Sequence, residues 1–531
     1  MAERRNIVLI VSDSLRPDFL RAYGADFIPT PHIDALAEHG TVFENAITAS
    51  TVCAPARAAV LTGRPVSGHD IWTNQIPCPD TLEYFPARLA RQGYLTAAVG
   101  SIDHARPEHP IGFQWVRRFD ENKPGSEYLA WLKERHPEEN TAFPRDGRHF
   151  KYAEEEFYDR WSCDKATEFL TSYAAKGEVP DQRFYSGYPK DRPTPEKASP
   201  FFLCCGFLSP HAPLLPPKEL EGRVDPAKLP SIRLPREEVP PVEKYRRAFM
   251  NPPEVLKDPK AGWEERMTSR LSYAELITEI DALVGRIVET LKATGLYENT
   301  TILFTADHGS LEWDYNLDTK GPWPYRSQLF VPLIVSNHGR DLPKRSPVLC
   351  GNIDVGATVL DIAGDRRPFN LSRSLLGQAD GSLPAREVAF SEFCDSAKTL
   401  VDHRYTYTYY PFTGEACLFD RQNDPEESEN LAGRPEYAAL ERRFLMHLMD
   451  HMVLAKGVRI EAHDLAPEVR EGIEKKKPGF LDDGFEICYP LASMKQIDNI
   501  REAGLDEHYQ DFCLGRPIKA HYGVFFETEK K

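Results

Sequence analysis

Apolar segments of strand length recur along the first two thirds of the chain. They are NIVLIVS (6–12), YLTAAVG (94–100), FFLCCGF (201–207), TILFTAD (301–307) and VPLIVSN (331–337). Strands that are apolar on both faces are typical of a parallel sheet covered by helices. A further segment, TVFENAIT (41–48), is predicted to be an edge strand.

The segments between these strands have helical patterns. Thr30 and Pro31 predict a helix start, with Thr30 as N-cap and Pro31 at the first helical position, and Gly40 is expected to end that helix. Further helices are predicted at 82–92 and, from apolar residues at helical spacing, at 275–295. The alternation predicts an α/β fold with a large, mainly parallel, doubly wound sheet flanked by helices.

Changes in composition divide the chain into predicted parts. Residues 1–380 form the main α/β domain, and residues 104–198 are expected to be an insertion or lid, because they are rich in charge, proline and aromatic residues. Residues 381–456 contain short strand patterns followed by a helix, which predicts a smaller C-terminal antiparallel sheet plus helix. Residues 457–531 form a polar C-terminal extension.

The composition narrows the class of protein. The 531 residues are 41% hydrophobic and 27% charged, as in a soluble globular enzyme. The net charge of −16 argues against nucleic acid and anionic membranes as partners, so any anion site must be a local positive focus. No stretch approaches the roughly 18 apolar residues of a membrane span.

Two further features bear on location. The apolar run at 7–11 lacks a following small-residue cleavage site, so a cytoplasmic protein is expected. Cys204 and Cys205 lie in an apolar run and are expected to be reduced core thiols.

Polar residues with catalytic chemistry follow four of the buried strands. They are Asp13, then Asp103 and His104, then His211, and finally Asp307 and His308. Ligands of open α/β sheets bind at the carboxyl ends of strands, so these side chains could converge on one site. A single Asp after a strand more often caps a helix or forms a turn.

Three of these residues have the ligand chemistry of a divalent cation site. The two carboxylates of Asp13 and Asp307 and the imidazole of His308 suit Mn or Zn, or Mg or Ca with added oxygen ligands. The alternative for the Asp-His-Gly step at 307–309 is a tight turn with a capping Asp.

The segment CAPAR (53–57), followed by AAVLTGR, resembles the C-x-P-x-R signature of type I sulfatases. Phosphonate monoester hydrolases and phosphodiesterases of the alkaline phosphatase superfamily share that signature. Other segments that resemble the family follow in family order: NIVLIVSDSLRPD (6–18), TPHIDALAEHG (30–40), PHAP (210–213), TADHG (305–309), KGPWPYRSQLFVPLIV (320–335) and ACLFDRQNDPEESENLAG (416–433). The resemblance covers residues 5–450 and implies an alkaline phosphatase-like fold.

The resemblance implies that Cys53 is oxidised to formylglycine by a maturation enzyme. The hydrated aldehyde is a geminal diol, in which one hydroxyl can attack the ester and the other can expel the transferred group. The segment 53–63 is predicted to be a loop running into a helix that starts after Cys53, so backbone N–H groups and Arg57 would face the anion there. The alternative for Cys53 is a buried core thiol.

The same resemblance assigns other roles. Asp13, Cys53, Asp307 and His308 would share one divalent metal ion, Mn, Zn or Ca. Lys320 and His211 match basic residues that contact the ester and assist the leaving group. From the residues alone, a solvated Lys and a turn His beside proline are the favoured interpretations, and only the placed motifs reverse that order.

The chain departs from the sulfatase pattern at two places. Asp13-Ser14 replaces two successive Asp residues, and Gly100-Ser101-Ile102-Asp103 replaces Gly-Lys-x-His, with His104 one position late. Phosphonate monoester hydrolases also lack the second Asp and that Lys, which tilts the metal toward Mn or Zn. Whether Asp103 or His104 lies in the site is therefore open.

We expect a hydrolase of sulfate monoesters acting on a small anionic ester. The alternatives are a phosphonate monoester hydrolase or phosphodiesterase, an enzyme promiscuous for both, and a catalytically silent binding module. The aromatic residues of the 457–531 extension need burial, so we expect it to reach another subunit of a homo-oligomer or to cover the active site of its own chain.

Overall fold

The computed structural model describes residues 4–455 except 77, 80–81, 103–110, 121–125, 139–146, 181–198, 235, 237–238, 240 and 243–261. Beyond residue 455 it describes only two short strands. Internal contacts divide the chain into two units, Met1–Leu448 and Met449–Lys531. The first unit contains both large sheets. The second contains an antiparallel pair, Val458–Ile460 and Ile487–Tyr489.

The strands and helices follow one another along the chain in these positions. The strands are β1 Asn6–Ser12, β2 Gly40–Ile47, β3 Leu95–Gly100, β4 Trp115–Arg118, β5 Phe201–Phe207, β6 Thr300–Ala306, β7 Leu333–Ser336, β8 Arg345–Gly351, β9 Ala389–Phe393, β10 Ala397–Val401, β11 Tyr405–Tyr410, β12 Glu415–Asp420, β13 Val458–Ile460 and β14 Ile487–Tyr489. The helices are α1 Pro31–Glu38, α2 Cys53–Thr62, α3 Val66–His69, α4 Phe85–Arg91, α5 Glu127–Arg135, α6 Tyr158–Lys176, α7 Trp263–Ala293, α8 Arg326–Leu329, α9 Val355–Ile362, α10 Leu375–Ala379 and α11 Ala438–Ala455.

Eight strands form the main sheet, in the order β4-β3-β5-β1-β6-β7-β2-β8. All neighbours pair in parallel except β7, which is antiparallel to both β6 and β2. The central strands β1, β5 and β6 are buried along their whole length, since their side chains are apolar or small on both faces. The predicted α/β fold with a mainly parallel sheet is confirmed.

The smaller sheet is an antiparallel meander in the order β12-β11-β10-β9. The predicted C-terminal strands correspond to β9, β11 and β12, and the predicted helix corresponds to α11. The sequence pattern did not predict β10, which is buried at all five positions. The predicted domain boundaries remain predictions, although residues 104–198 contribute β4 to the main sheet and the long helix α6.

The prediction that TVFENAIT is an edge strand is wrong. The corresponding strand β2 lies between β7 and β8, and β8 forms the edge. Its exposed Glu44 lies where the pairing with β8 shifts register, and it pairs with Arg345 at 2.6 Å. The polar position therefore marks a bulge within the sheet and not an edge.

The prediction that Gly40 ends the first helix is wrong. Helix α1 ends at Glu38, and Gly40 is the first residue of β2. A Cβ atom at this position would lie 2.2 Å from the main-chain oxygen of Val335 in β7. Glycine is therefore required by the close approach of two strands.

Two further expectations concern helices and thiols. Helix α7 begins at Trp263, earlier than the predicted start at residue 275. Cys204 and Cys205 are buried within β5, as expected of core thiols. In the described part of the chain, no helix combines the length and apolar character needed to cross a lipid bilayer.

Candidate active site

The carboxyl ends of β1 and β6 bring two carboxylates together. Asp13 follows β1 and its main-chain N–H donates to Phe207 O at 3.1 Å, while the N–H of Asp307 donates to Ser12 O at 3.2 Å. Both residues thus continue the parallel hydrogen-bonding pattern by one position. Their side chains consequently leave the sheet at the same edge, as predicted for the carboxyl ends of adjacent strands.

Cys53 and His308 complete a compact group of donor atoms with these carboxylates. One donor atom from each of Asp13, Cys53, Asp307 and His308 lies within 4.8 Å of the others, and all four residues are buried. His308 Nε2 lies 3.4 Å from Cys53 Sγ and 3.9 Å from Oδ1 of each carboxylate. The four predicted metal ligands are therefore neighbours in space.

The hydrogen bonds of His308 define which ring nitrogen faces the group. Its Nδ1–H donates to the main-chain oxygen of Gly309 at 2.7 Å, and that oxygen can only accept. In the neutral ring, Nε2 then carries a lone pair, and this lone pair faces the carboxylates and the thiol of the group. Two carboxylates and one oriented imidazole in a buried position fit a divalent cation.

Arg57 binds the outer oxygens of both carboxylates. Its Nη2 donates to Asp13 Oδ2 at 2.9 Å, its Nε donates to Asp307 Oδ2 at 3.0 Å, and its Nη1 donates to the main-chain oxygen of Ser101. Burial alone would lower the pKa of Arg57, but the charges of Asp307 and Asp13 raise it above its ordinary value. The guanidinium therefore stays charged and orients both carboxylates.

Ser14 occupies the position where many sulfatases carry a second Asp. Its main-chain N–H donates to Asp307 Oδ1 at 3.0 Å, and its hydroxyl donates to Asp13 Oδ1 at 2.9 Å. Ser14 therefore supports the two carboxylates without adding a negative charge. The sequence indicated this departure but not the hydrogen bonds that Ser14 makes.

The pKa values of the two carboxyl groups shift in opposite directions. Burial and the negative charge of Asp13 raise the pKa of Asp307. Burial would also raise the pKa of Asp13, but positive charges on His211, Lys320 and Arg57 lower it overall. Two adjacent carboxylates repel each other, and a bound cation would relieve that repulsion.

Lys320 contacts two members of the same group, Cys53 and His308. Its Nζ is 2.6 Å from Cys53 Sγ and 3.2 Å from His308 Nε2. Burial alone would lower its pKa, whereas the charges of Cys53 and Asp13 raise it. The ammonium therefore remains protonated next to residue 53.

His211 is the third basic group of the site. Burial and the Lys320 ammonium lower its pKa, but Asp13 and a hydrogen bond with Cys53 raise it, to about 9 overall. His211, Lys320 and Arg57 together form a local concentration of positive charge in a chain of net charge −16. Such a focus suits a small anion.

The start of α2 differs from expectation in two respects. Helix α2 begins at Cys53 itself, with Val52 as N-cap, whereas the predicted helix starts after Cys53. The N–H of Ala54, however, donates to Asn74 Oδ1 at 3.0 Å. The N–H group of Ala54 therefore already has a hydrogen-bond acceptor within the protein, although N–H groups at this helix start were expected to face the anion.

Two residues that support the site were not predicted. Asn352 Nδ2 donates to Asp307 O at 2.7 Å, and the N–H of Ala49 donates to Asn352 Oδ1 at 3.0 Å. The hydroxyl of Thr48 also donates to Asp307 O. These bonds tie the end of β6 to the segment before Cys53, and no local motif marks Asn352 in the sequence. Asp103 and His104 lie outside the described residues, so the choice between them stays open.

Comparisons with known proteins agree with this geometry. Residues 5–365 match the family model described as Sulfatase. The chain is 27% identical over 497 residues to the multifunctional alkaline phosphatase superfamily protein PehA of Trinickia caryophylli, covering 83% of this chain and 94% of that protein. It is also 27% identical over 471 residues to an arylsulfatase of Clostridium perfringens (strain 13 / Type A), covering 81% and 91% of the two chains.

The fold is similar to that of a solved phosphonate monoester hydrolase from Agrobacterium radiobacter. The TM-score is 0.69 at 22% sequence identity, and the match covers 85% of this chain and 96% of that chain. The matched segment at 5–365 contains the whole group of donors and basic residues described above and spans well over half of the chain. The protein therefore belongs to the sulfatase family.

Proposed function

We propose that this protein hydrolyses sulfate monoesters with a nucleophile made by oxidising Cys53 to formylglycine, assisted by one divalent cation. One observation carries the proposal: Cys53 lies at the start of α2 among three possible metal ligands and beside the Lys320 ammonium. A structural core thiol would not require two carboxylates, an imidazole and an ammonium around it.

The chain's own residues would divide the work as follows. Asp13, Asp307 and His308 would hold the cation, with Arg57 orienting both carboxylates. When bound, the cation would lower the pKa of the attacking hydroxyl and neutralise charge on the ester. Arg57 stays in place throughout, since it donates to both carboxylates and to the main chain.

Lys320 and His211 would act on the substrate. The Lys320 ammonium would neutralise the ester anion. His211, whose pKa is raised by Asp13 and by Cys53 in the thiol form, would donate a proton to the departing oxygen. That proton makes the leaving group a neutral alcohol and not an alkoxide.

Phosphonate monoesters and phosphodiesters are the second candidate substrates. Each carries one negative charge at neutral pH, as a sulfate monoester does, so the charge of the site does not separate them. Ser14 in place of a second carboxylate and the similarity to PehA and to a phosphonate monoester hydrolase favour this alternative. Because the substrates carry the same charge, we expect the site to turn over both classes at different rates.

Mass spectrometry of the peptide containing Cys53 tests the mechanism directly. After co-expression with a formylglycine-generating enzyme, we expect residue 53 to carry the aldehyde or its hydrate. A peptide that remains entirely cysteine would contradict the mechanism and favour a silent binding module.

The matured protein would then be assayed for release of sulfate from an aryl sulfate and for cleavage of a phosphonate monoester. A much larger kcat/KM for the phosphonate would make the second candidate the native activity. Metal analysis of the same preparation should give one divalent ion for each chain.

A further inference from the structure

A cleft of about 880 Å³ opens beside the residues assigned to catalysis. Val52, which precedes Cys53, and Lys320, whose Nζ lies 2.6 Å from Cys53 Sγ, both line it. An ester whose anionic group sits against Lys320 would therefore direct its leaving group into this cleft.

Two separate segments supply the other walls of the cleft, and each presents an aromatic ring. One is the segment at 72–75, which includes Trp72 and follows α3 closely. The other is the turn at 393–396, which joins β9 to β10 and includes Phe393 and Asp395. Trp72 and Phe393 are both half-buried, so each retains exposed surface. The smaller sheet thus takes part in forming the cleft.

The two walls are held to each other. Cys394 Sγ lies 3.0 Å from the main-chain oxygen of Trp72. The ammonium of Lys398, in β10, lies 4.9 Å from the centre of the Trp72 ring and donates to Glu392 at 2.6 Å and to Cys394 O at 3.0 Å. These contacts cross from one wall to the other and fix the width of the cleft.

The wall in the smaller sheet is also tied to the nucleophile. The N–H of Glu392 donates to Ala49 O at 3.0 Å, and the hydroxyl of Ser50 donates to Glu392 O at 2.7 Å. The carboxylate of Glu392 accepts from the N–H and the hydroxyl of Ser67. Residues 49–53 and the turn at 393–396 are therefore held together as one structure, which preserves the distance from nucleophile to wall.

The charges around the cleft limit what it can accept. Lys398 is neutralised by Glu392, and both side chains are buried. Among the residues that line the cleft in the described chain, Lys320 carries the positive charge, and Asp395 adds an exposed negative one. Among the described residues that line the cleft, no cation besides Lys320 faces a leaving group bearing further sulfate groups, which would meet the negative charge of Asp395.

We propose that this cleft selects esters of uncharged aromatic alcohols, with Trp72 and Phe393 contacting the ring and Asp395 excluding polyanionic sugars. This inference rests on the proposed function and names its substrate class. Aromatic rings bind aromatic partners through apolar burial and edge-to-face or offset packing. The smaller sheet would thereby determine substrate choice while residues of the main sheet carry out the reaction.

Kinetics of matched variants test the proposal. Trp72→Ala and Phe393→Ala should each raise KM for 4-nitrophenyl sulfate roughly 5- to 10-fold and change kcat less. The same variants should leave KM for ethyl sulfate unchanged, and Trp72→Phe should restore most of the affinity. The control is Phe412→Ala, because that ring is 70% exposed in the turn between β11 and β12 and should affect neither substrate. Equal KM changes for both substrates would overturn the proposal.

The charge of Asp395 gives a second measurement. Asp395→Lys should raise kcat/KM for a disulfated glucosamine relative to 4-nitrophenyl sulfate by about 10-fold or more, since a repulsive charge becomes attractive. No change in that ratio would remove the exclusion role of Asp395. Thermal melting of each variant checks that the fold is retained.

Binding of 4-nitrophenol to the unmodified Cys53 protein separates this inference from the proposed function. Titration calorimetry requires no chemistry, so the cleft can be tested without turnover. Binding that Trp72→Ala weakens, together with a matured protein that hydrolyses none of the esters, would support the cleft and contradict the proposed function. Hydrolysis of sulfate esters without any 4-nitrophenol binding or competition would support the function and overturn the cleft proposal.

Discussion

Two segments deliver reactive groups to the same site and are held in place by different interactions. Helix α2 carries Cys53 and Arg57, and all ten of its residues are buried. Four of them are alanine, which allows close packing on every side. The helix ends at Thr62 and is capped by Gly63, whose φ of 63° favours glycine. Regular hydrogen bonding and apolar contact position this half of the site.

The segment at 308–320 carries His308 and Lys320 and has no such regularity. Its non-glycine residues with positive φ are Glu312, Trp313, Tyr315, Asn316 and Thr319. Each left-handed residue other than glycine costs roughly 1 kcal/mol or more. The surrounding structure must therefore impose this conformation.

Asp314 is the centre of the interactions that hold the irregular segment. Arg16 Nη1 lies 2.9 Å from Asp314 Oδ2, Arg270 Nη2 lies 2.7 Å from Asp314 Oδ1, and Arg233 Nη1 lies 3.1 Å from Asp314 Oδ2. Burial would raise the pKa of Asp314, but the three guanidinium groups lower it. Buried charge can thus replace regular secondary structure as the means of placing a reactive side chain.

The largest expected effect separates the two groups on the irregular segment. His308→Ala should lower the bound metal content and reduce kcat/KM about 10³-fold or more, or about 4 kcal/mol of transition-state stabilisation. Lys320→Ala should reduce kcat/KM comparably while the metal is retained, because a protonated Lys is not a ligand. Metal analysis and steady-state kinetics measure both. Full metal content and full rate in His308→Ala would show that 307–309 is only a structural turn.

The next effect concerns the charges that hold the irregular segment. Asp314→Asn removes the buried carboxylate that Arg270 and Arg16 share, and of these two only Arg16 keeps a second carboxylate among the described residues, that of Asp18, so the free energy of unfolding should fall by about 3–5 kcal/mol. The matched control is Glu44→Gln, since Glu44 pairs with a half-exposed Arg345. That change should cost less than about 1 kcal/mol in urea unfolding. If both variants lost similar amounts of unfolding free energy, the buried charge of Asp314 would not be what holds the segment at 308–320.

The pH dependence of the free energy of unfolding tests the packing around α2. His69, in α3, is buried, accepts from the N–H of Ile71 and contacts Pro55 O of α2. Burial lowers its pKa from 6.5 to about 4, so the unfolded chain binds the proton first as pH falls. The free energy of unfolding should therefore decrease between pH 6.5 and pH 4, by about 2 kcal/mol at pH 5 relative to pH 7.

His69→Gln is the variant that isolates this contribution. Its free energy of unfolding should lack the His69 part of the decline below pH 6.5, when both proteins are unfolded in urea across that range. Two parallel curves would mean that His69 is not the group responsible.

The smallest effect measures conformational strain directly. Thr319 is β-branched and has a φ of 48°, an uncommon combination. Thr319→Gly should raise the free energy of unfolding by less than about 1 kcal/mol, because relief of strain exceeds the added entropy of the unfolded chain. The same substitution at Thr62, inside α2, should instead lower it by about 1 kcal/mol. A loss at both positions would indicate that the irregular segment is unstrained.

The sequence predicted those strands and helices whose pattern lies within their own residues. Strands β1, β3, β5 and β6 were predicted because runs of apolar residues have few other uses in a globular protein. A helix after Cys53 was predicted from the pattern of residues 53–63, and α2 begins at Cys53 itself. The apolar runs and the segment at 53–63 are each shorter than about a dozen residues, so they can be read without knowing the tertiary structure.

The remaining features depend on partners far away in the sequence. Strand β10 was missed because its Lys398 is buried only by virtue of its pair with Glu392. Asn352 was missed because its contact with Asp307 spans 45 residues and leaves no spacing pattern. Arg57 was expected to face the diol, and its bond to each carboxylate could be recognised only once β1, β6 and α2 were assembled.

The burial of α2 has a consequence for how an active preparation is obtained. The Cys53 side chain is 3% exposed, and it begins a helix that has no exposed residue. Under the proposed mechanism another enzyme must reach this thiol, and the native helix offers it no accessible segment. Oxidation would then have to precede folding, so the two processes compete in time. Chains that fold first would stay in the thiol form, and the specific activity of a batch would reflect the conditions of its synthesis.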